Sequence, residues 1–403
     1  MNNFRVSFND LNPAAKEDRP RLIPKSPPRV RVVTTVLHIP AVWDIHVRNL
    51  LWSLGNPRIY MLTHRGVDLP EHPNIDYVYA KNLETREELP PEEFSVKKLY
   101  QIYDEVSHLD FSDVDVVLFM QNDIFFTDKE KVAESVEACH KDGKIVISLN
   151  FPWSHAIYDK DKKPSPSPGT TLTGEAGLVY PRVWDGATFV PARLIEQAVA
   201  DDVEFGYSRK CTLEGGWLYD FALKNWSSHL LGTGSFRDVN GDPYKLIDLI
   251  KGENSPATRY RFWELMFEFS LYSLFKNVPF QQFGDYRMSP YAVHFQGARH
   301  LFQMSNGLFN GDLQIIDRVE YRGRVNDTAF IMLMCGLVPM DDLTKHYLRN
   351  KQSEQIGDIV SRESTWVSER ILKQLLQLRL SADQWMSPDE LKRLGWASEV
   401  IRD

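Results

Sequence analysis

Asp113–Asp128 reads DVDVVLFMQNDIFFTD. An apolar run from Val114 to Met120, broken only by Asp115, stops at Gln121-Asn122-Asp123. A second run, Ile124-Phe125-Phe126, starts at once. Short apolar runs rich in valine and phenylalanine predict a buried strand of a parallel sheet. In an open α/β sheet, ligands gather where the strands end at their carboxyl side. Asp123 therefore falls where a nucleotide diphosphate and its metal are expected. The same residues also suit a plain turn, because Asn and Asp bond their own backbone.

The flanking segments extend the pattern. Val30 to Leu37, Arg58 to Thr63, Ile75 to Tyr79 and Lys144 to Asn150 read as further strands. Val42 to Leu54, Ser95 to Val106 and Asp128 to His140 read as helices with one apolar face. Strands alternating with helices predict an α/β fold, a mostly parallel sheet flanked by helices with right-handed crossovers. After Phe151 the pattern loosens. Asp159 to Gly169 is charged and proline-rich, so it is a loop; Gly177 to Tyr180 is a short strand candidate. Helices are expected at Pro191 to Val199 and Gly216 to Asn225, and a last strand at Tyr291 to Phe295.

Residues 1–28 are polar and proline-rich and read as a mobile leader. Residues 29–310 then form the α/β domain and residues 311–403 a helical C-terminal extension. In that extension Ile371, Leu372, Leu375, Leu376 and Leu378 share an apolar face. Ser387-Pro388-Asp389-Glu390 carries a capping-box signature with proline at the first helical position. The extension packs on the α/β core in this reading, or else pairs copies of the chain into a homo-oligomer.

At 403 residues, with 43% apolar and 25% charged residues, the composition is that of a globular protein. A formal net charge of −8 argues against non-specific nucleic-acid binding, which needs a basic surface. Cys139, Cys211 and Cys335 are odd in number and widely spaced, so neither a disulfide framework nor a zinc spacing is visible. The polar N-terminus lacks a secretory apolar segment, and no transmembrane segment is apparent. A cytoplasmic protein, peripheral to a membrane at most, is the expectation.

No glycine-rich dinucleotide fingerprint or P-loop occurs. The strand from Val30 instead leads into His38-Ile39-Pro40, which makes His38 a candidate nucleotide contact. Far downstream, Tyr291-Ala292-Val293-His294-Phe295-Gln296-Gly297 brings a histidine out of an apolar strand, with a glycine close behind. Carboxylate and imidazole together suit Mn²⁺ or Mg²⁺, completed by phosphate oxygens and water. A glycine lets the backbone approach a phosphate.

On Gln121-Asn122-Asp123 and His294-Phe295-Gln296-Gly297, the chain resembles the nucleotide-sugar-dependent glycosyltransferases of the GT-A fold, over roughly Val30 to Leu301. The resemblance implies transfer of a sugar from a nucleotide diphosphate donor, UDP-linked in the first instance, to a hydroxyl on a glycan, protein or small molecule. It implies Asp123 and His294 as ligands of a divalent metal. Gln121, Asn122 and Gly297 become donor contacts, as does Lys98 from the helix ahead of the motif strand. Gln121 departs from the family's Asp-X-Asp motif and removes one negative charge.

Inverting transfer would need a carboxylate to take the acceptor's proton. Glu214, ahead of two glycines at a helix start, is the first candidate, with Asp220 in the same helix and Glu175 between Gly174 and Gly177 as others. The rivals are a nucleotidyltransferase, which should carry a basic glycine-rich loop after the first strand, and a non-enzymatic sugar- or nucleotide-binding protein.

Overall fold

A computed structural model describes residues 27–35, 40–63, 69–80, 102–149, 158–159, 172–173, 177–178, 183–206, 236–237, 243–244, 266–276, 278–284, 288–295, 340–342 and 369–396. In chain order the main elements are β1 (Val30–Thr35), α1 (Pro40–Leu54), β2 (Arg58–Thr63), β3 (Ile75–Tyr79), β4 (Val116–Met120), β5 (Ile124–Phe126), α2 (Lys129–Asp142) and β6 (Ile145–Ile147). They continue as β7 (Gly186–Pro191), α3 (Ala192–Ala200), α4 (Phe267–Phe275), β8 (Phe280–Gln282), β9 (Ala292–His294), α5 (Glu369–Ala382) and α6 (Pro388–Arg393).

Seven strands form one sheet in the order β8-β6-β7-β4-β1-β2-β3. The β1, β2, β3 and β4 pairings are parallel, as is β6 with β8. The fold is therefore α/β with a mostly parallel sheet flanked by helices, as the sequence pattern predicts. Every residue of β4 is buried, which is why its apolar run does not alternate. From β1 the chain goes to β2 on one side and later to β4 on the other. The carboxyl ends of β1 and β4 thus form the switch point where ligands of such sheets bind.

One strand departs from the expected pattern. β7 runs antiparallel between β4 and β6. Its register slips between Gly186 and Thr188, and Ala187 at the slip has φ 55°. This is a β-bulge, a device that re-aims side chains beside sites. The helix expected from Pro191 begins at Ala192, because Pro191 ends β7 against Val116.

Other boundaries also shift. The Lys144 to Asn150 strand pairs only over Ile145–Ile147. The described end of the helix expected at Ser95 to Val106 is a 3₁₀ helix, Ile102–His108, which closes with Leu109 N–H donating to the Val106 carbonyl at 3.2 Å. α2 starts where Asp128 accepts from the Glu130 and Lys131 backbone N–H groups. It stops at Gly143, whose φ of 64° suits a residue without a Cβ. Gly177–Leu178 does form a short strand, paired with Leu172–Thr173. The leader through residue 26 and the helix expected at Gly216 to Asn225 lie outside the described residues.

The C-terminal helices lie on this core. α5 buries Gln374, Leu375, Leu378, Ser381 and Ala382 along one stripe, so Leu375 and Leu378 of the expected face are inside and Leu376 is half-buried. α6 opens on the predicted capping box, with Ser387 accepting from Glu390 N–H and Glu390 accepting from Ser387 N–H. Glu390 forms an ion pair with Arg48 of α1, and the Trp385 and Trp52 rings lie 6.2 Å apart. Among the described residues no helix is long and apolar enough to cross a membrane.

Candidate functional site

The site grows from the end of β4. The chain turns at Gln121-Asn122-Asp123, with Ile124 N–H donating to the Gln121 carbonyl at 3.2 Å, and re-enters as β5. β5 does not join the main sheet. It pairs antiparallel with β9, setting His294 opposite Ile124, and Phe295 N–H donates to the Asp123 carbonyl at 3.0 Å. That register brings two distant segments together: His294 Nε2 lies 3.5 Å from Asp123 Oδ1, with the residues 1% and 0% exposed.

Backbone groups of Phe126 that β9 leaves over are taken by a side chain. Asn49 of α1 accepts from Phe126 N–H at 2.7 Å and donates to its carbonyl at 2.8 Å. The buried amide thus acts as a one-residue strand partner for β5. On the other side, Gln374 of α5 donates to the His294 carbonyl at 2.8 Å, and Gln377 donates to Thr127 Oγ1 at 3.1 Å. Trp184 closes the flank, its ring 5.6 Å from His294 and its indole N–H donating to the Leu149 carbonyl. A Cβ on Gly186 would collide with that indole, so the glycine permits the close approach.

Asn122 is 3% exposed, and neither atom of its side-chain amide has a hydrogen-bond partner among the described residues. A buried amide left unpaired costs free energy, and such groups mark places where a ligand or ordered water belongs. Gln121, half-buried, donates from Nε2 to Asp185 Oδ1 at 2.6 Å, while its backbone N–H donates to the Asp185 carbonyl at 2.7 Å. Tyr103 donates to Asp185 Oδ2 at 2.7 Å. Burial pushes the Tyr103 phenol well above its usual range. The Asp185 charge, its hydrogen bond and the Asp123 charge add to this, and Thr35 pulls against it. The phenol therefore stays a donor.

His46 of α1 is also buried here. Its Nε2 lies 3.1 Å from Thr34 Oγ1, and its ring meets Phe125 edge-on at 5.9 Å. Desolvation pulls the imidazole down to about 4, against a backbone contact at Ile124 and the Asp123 charge. Cys139 is buried and free; burial pushes its thiol up, which makes it an inert core residue.

The donor chemistry of Asp123 and His294 fits a divalent ion in part. Donors about 2.1 Å from one ion sit roughly 3 Å apart when adjacent in its shell, close to the spacing found. No group of three His, Cys, Asp or Glu suited to a metal occurs among the described residues. Asp123 and His294 are the two groups that would hold such an ion among the described residues.

No family model matches the chain, and no curated protein matches it. Among solved structures it is similar to 4-diphosphocytidyl-2C-methyl-D-erythritol synthase from Anaerococcus prevotii. The identity is 15%, the TM-score 0.28, and the match covers 50% of this chain and 85% of that one. A superposition this loose carries no argument about site or substrate.

Of the residues singled out from sequence, Gln121, Asn122, Asp123 and His294 are brought together. His38, Lys98, Glu175, Glu214, Asp220 and Gly297 lie outside the described residues. Asp185, Tyr103, His46 and Asn49 were not foreseen. Only Asp185 had a local signal, a Trp-Asp-Gly turn ahead of the apolar run Ala187 to Val190.

Proposed function

We propose that the protein is a metal-assisted glycosyltransferase of GT-A type, moving a sugar from a nucleotide diphosphate donor, UDP-linked in the first instance, to an acceptor hydroxyl. The observation that carries this reading is the buried Asp123–His294 pair at the carboxyl end of β4, assembled across the β5–β9 register. A carboxylate held in a water-poor site exerts a far stronger field on a cation than it would in water. An imidazole nitrogen joins it as a donor when it offers its lone pair. Asn122 brings an amide nitrogen that donates and an amide oxygen that accepts to the same strand end; the nitrogen suits phosphate oxygens, and both suit ribose hydroxyls.

When bound, Mn²⁺ or Mg²⁺ would neutralise the charge that develops on the departing diphosphate. In inverting transfer, Glu214, Asp220 or Glu175 would take the proton from the acceptor hydroxyl.

Calorimetric titration of UDP, with and without Mn²⁺, tests the reading on wild type and Asp123→Ala. Mn²⁺-dependent binding that is lost in a folded Asp123→Ala protein is expected. Binding indifferent to both Mn²⁺ and the substitution would remove the metal mechanism. Binding confined to nucleoside triphosphates would favour nucleotidyl transfer. No nucleotide binding at all would end the enzymatic reading.

A further inference from the structure

A histidine's ring torsion is broad, so neighbouring groups decide where its nitrogens point. At His294 the β9 register and the Gln374 bond fix the backbone. The buried imidazole lies against the Trp184 indole, with 5.6 Å between ring centres and 59° between planes. In that setting Nε2 faces Asp123 Oδ1 at 3.5 Å. Turning the ring about its bond to Cβ carries Nε2 away from that oxygen, and a close-packed indole resists the turn.

The indole is held in turn. Its N–H donates to the Leu149 carbonyl at 2.8 Å, just past β6. Gly186 gives it room, because a Cβ there would collide with the indole Nε1, Cε2 and Cζ2. The next residue, Ala187, takes φ 55°, a left-handed conformation unfavourable to any residue with a Cβ. The turn is tied to both neighbouring strand ends: Ser148 N–H donates to the Ala187 carbonyl at 3.1 Å, and Gln121 N–H to the Asp185 carbonyl at 2.7 Å. Strain of this kind persists where the surroundings over-determine it, and it collects at functional sites. Here it sets Trp184 at the start of β7, beside the end of β4. We infer that Trp184 is a positioning residue for His294: its indole, anchored at Leu149 and admitted by Gly186, is a wall that keeps the imidazole turned towards Asp123. This rests on the reading of Asp123 and His294 as a metal pair.

The experiment compares wild type, Trp184→Phe, Trp184→Leu, Gly186→Ala, Asp123→Ala and Ile195→Ala. Ile195 is fully buried in α3, beyond the far end of β7, so its truncation controls for a loosened core away from the site. Each full-length protein is melted, then titrated with Mn²⁺ alone and with UDP present. Trp184→Leu removes the flat wall and is expected to weaken Mn²⁺ binding by about tenfold or more, as losing a group that orients a metal ligand does. Trp184→Phe keeps an aromatic face and should bind Mn²⁺ close to wild type. Gly186→Ala leaves Trp184, Asp123 and His294 in the chain and displaces the indole, so it should weaken binding as well; it carries the test if Trp184→Leu does not fold. Ile195→Ala should melt lower and bind as wild type does. Without metal, ¹³C relaxation at His294 Cε1, assigned with His294→Gln, reads the ring itself: its order should fall in Trp184→Leu and Gly186→Ala and hold in Trp184→Phe and Ile195→Ala.

If Asp123→Ala loses Mn²⁺ while folded Trp184→Leu and Gly186→Ala bind it as wild type does, the inference is overturned and the metal-pair reading stands. An Ile195→Ala protein that loses as much affinity as Trp184→Leu overturns it equally, because the loss then follows stability and not the wall. If wild type binds neither Mn²⁺ nor UDP, the proposed function falls. The metal-free relaxation then decides the role of Trp184, and an imidazole as ordered in Trp184→Leu and Gly186→Ala as in wild type refutes it.

Discussion

His46 shows what burial does to one residue. Its imidazole sits at about 4 in the folded chain against an ordinary value of 6.5, with desolvation the largest cause. A folded-state value below the unfolded one means that the unfolded chain binds the extra proton first. The stabilisation from keeping this ring neutral is fully present above pH 6.5 and is lost as pH falls towards 4. The shift corresponds to about 3 kcal/mol at most. Thermal melts of wild type and His46→Gln between about pH 7.5 and 4 should therefore diverge. The wild-type midpoint should fall more steeply below pH 6.5, because a glutamine side chain in that place cannot take up the proton. Parallel curves would show that His46 is not buried in neutral form. No periodic pattern marks this histidine in the sequence: it lies on the apolar face of α1, and only the return of β5 brings Phe125 and Asp123 over it.

At the scale of elements, the central sheet was legible wherever a signal was local. The apolar runs of β1, β2 and β4, the N-cap Asp128 and the box at Ser387 each act within a few residues of themselves. β7 was not legible, because a short run closed by Pro191 reads as a turn leading into a helix, and its antiparallel place between β4 and β6 is fixed by distant partners. β8, Phe280-Gln281-Gln282, is half-buried throughout and carries no apolar pattern. At the site, Asp123 and His294 were legible as strand ends, but their meeting depends on the separate pairing of β5 with β9. Asn49 holds that pairing from α1, and its loss can be measured. Asn49→Ala strands a buried N–H and a buried carbonyl of Phe126, at roughly 1–3 kcal/mol for each group. A denaturant midpoint lowered by the equivalent of about 2–6 kcal/mol is expected, and, on the proposed function, weaker Mn²⁺-dependent UDP binding. Unchanged stability would mean that β5 does not need this clamp.

At the scale of the molecule, the C-terminal helices and the strand-end site form one mechanical unit. Gln374 holds the carbonyl of His294 itself, Gln377 holds Thr127 just after β5, and Arg48 and Trp52 tie α1 to Glu390 and Trp385. α1 in turn carries Asn49 and His46 against β5, so the β5–β9 pair is held by α1 on one side and by α5 on the other. Loosening α5 should therefore be felt at the site rather than only at the tail. Leu378 is fully buried in α5, and Leu378→Ala should cost about 2–5 kcal/mol, as in other core truncations. Hydrogen exchange followed by mass spectrometry locates that cost. If the tail and the site open together, peptides covering Ile124–Phe126 and Ala292–His294 lose protection in Leu378→Ala along with Glu369–Ala382. Faster exchange confined to the tail, with β5 and β9 protected as in wild type, would show that the helices merely rest on the site and do not hold it.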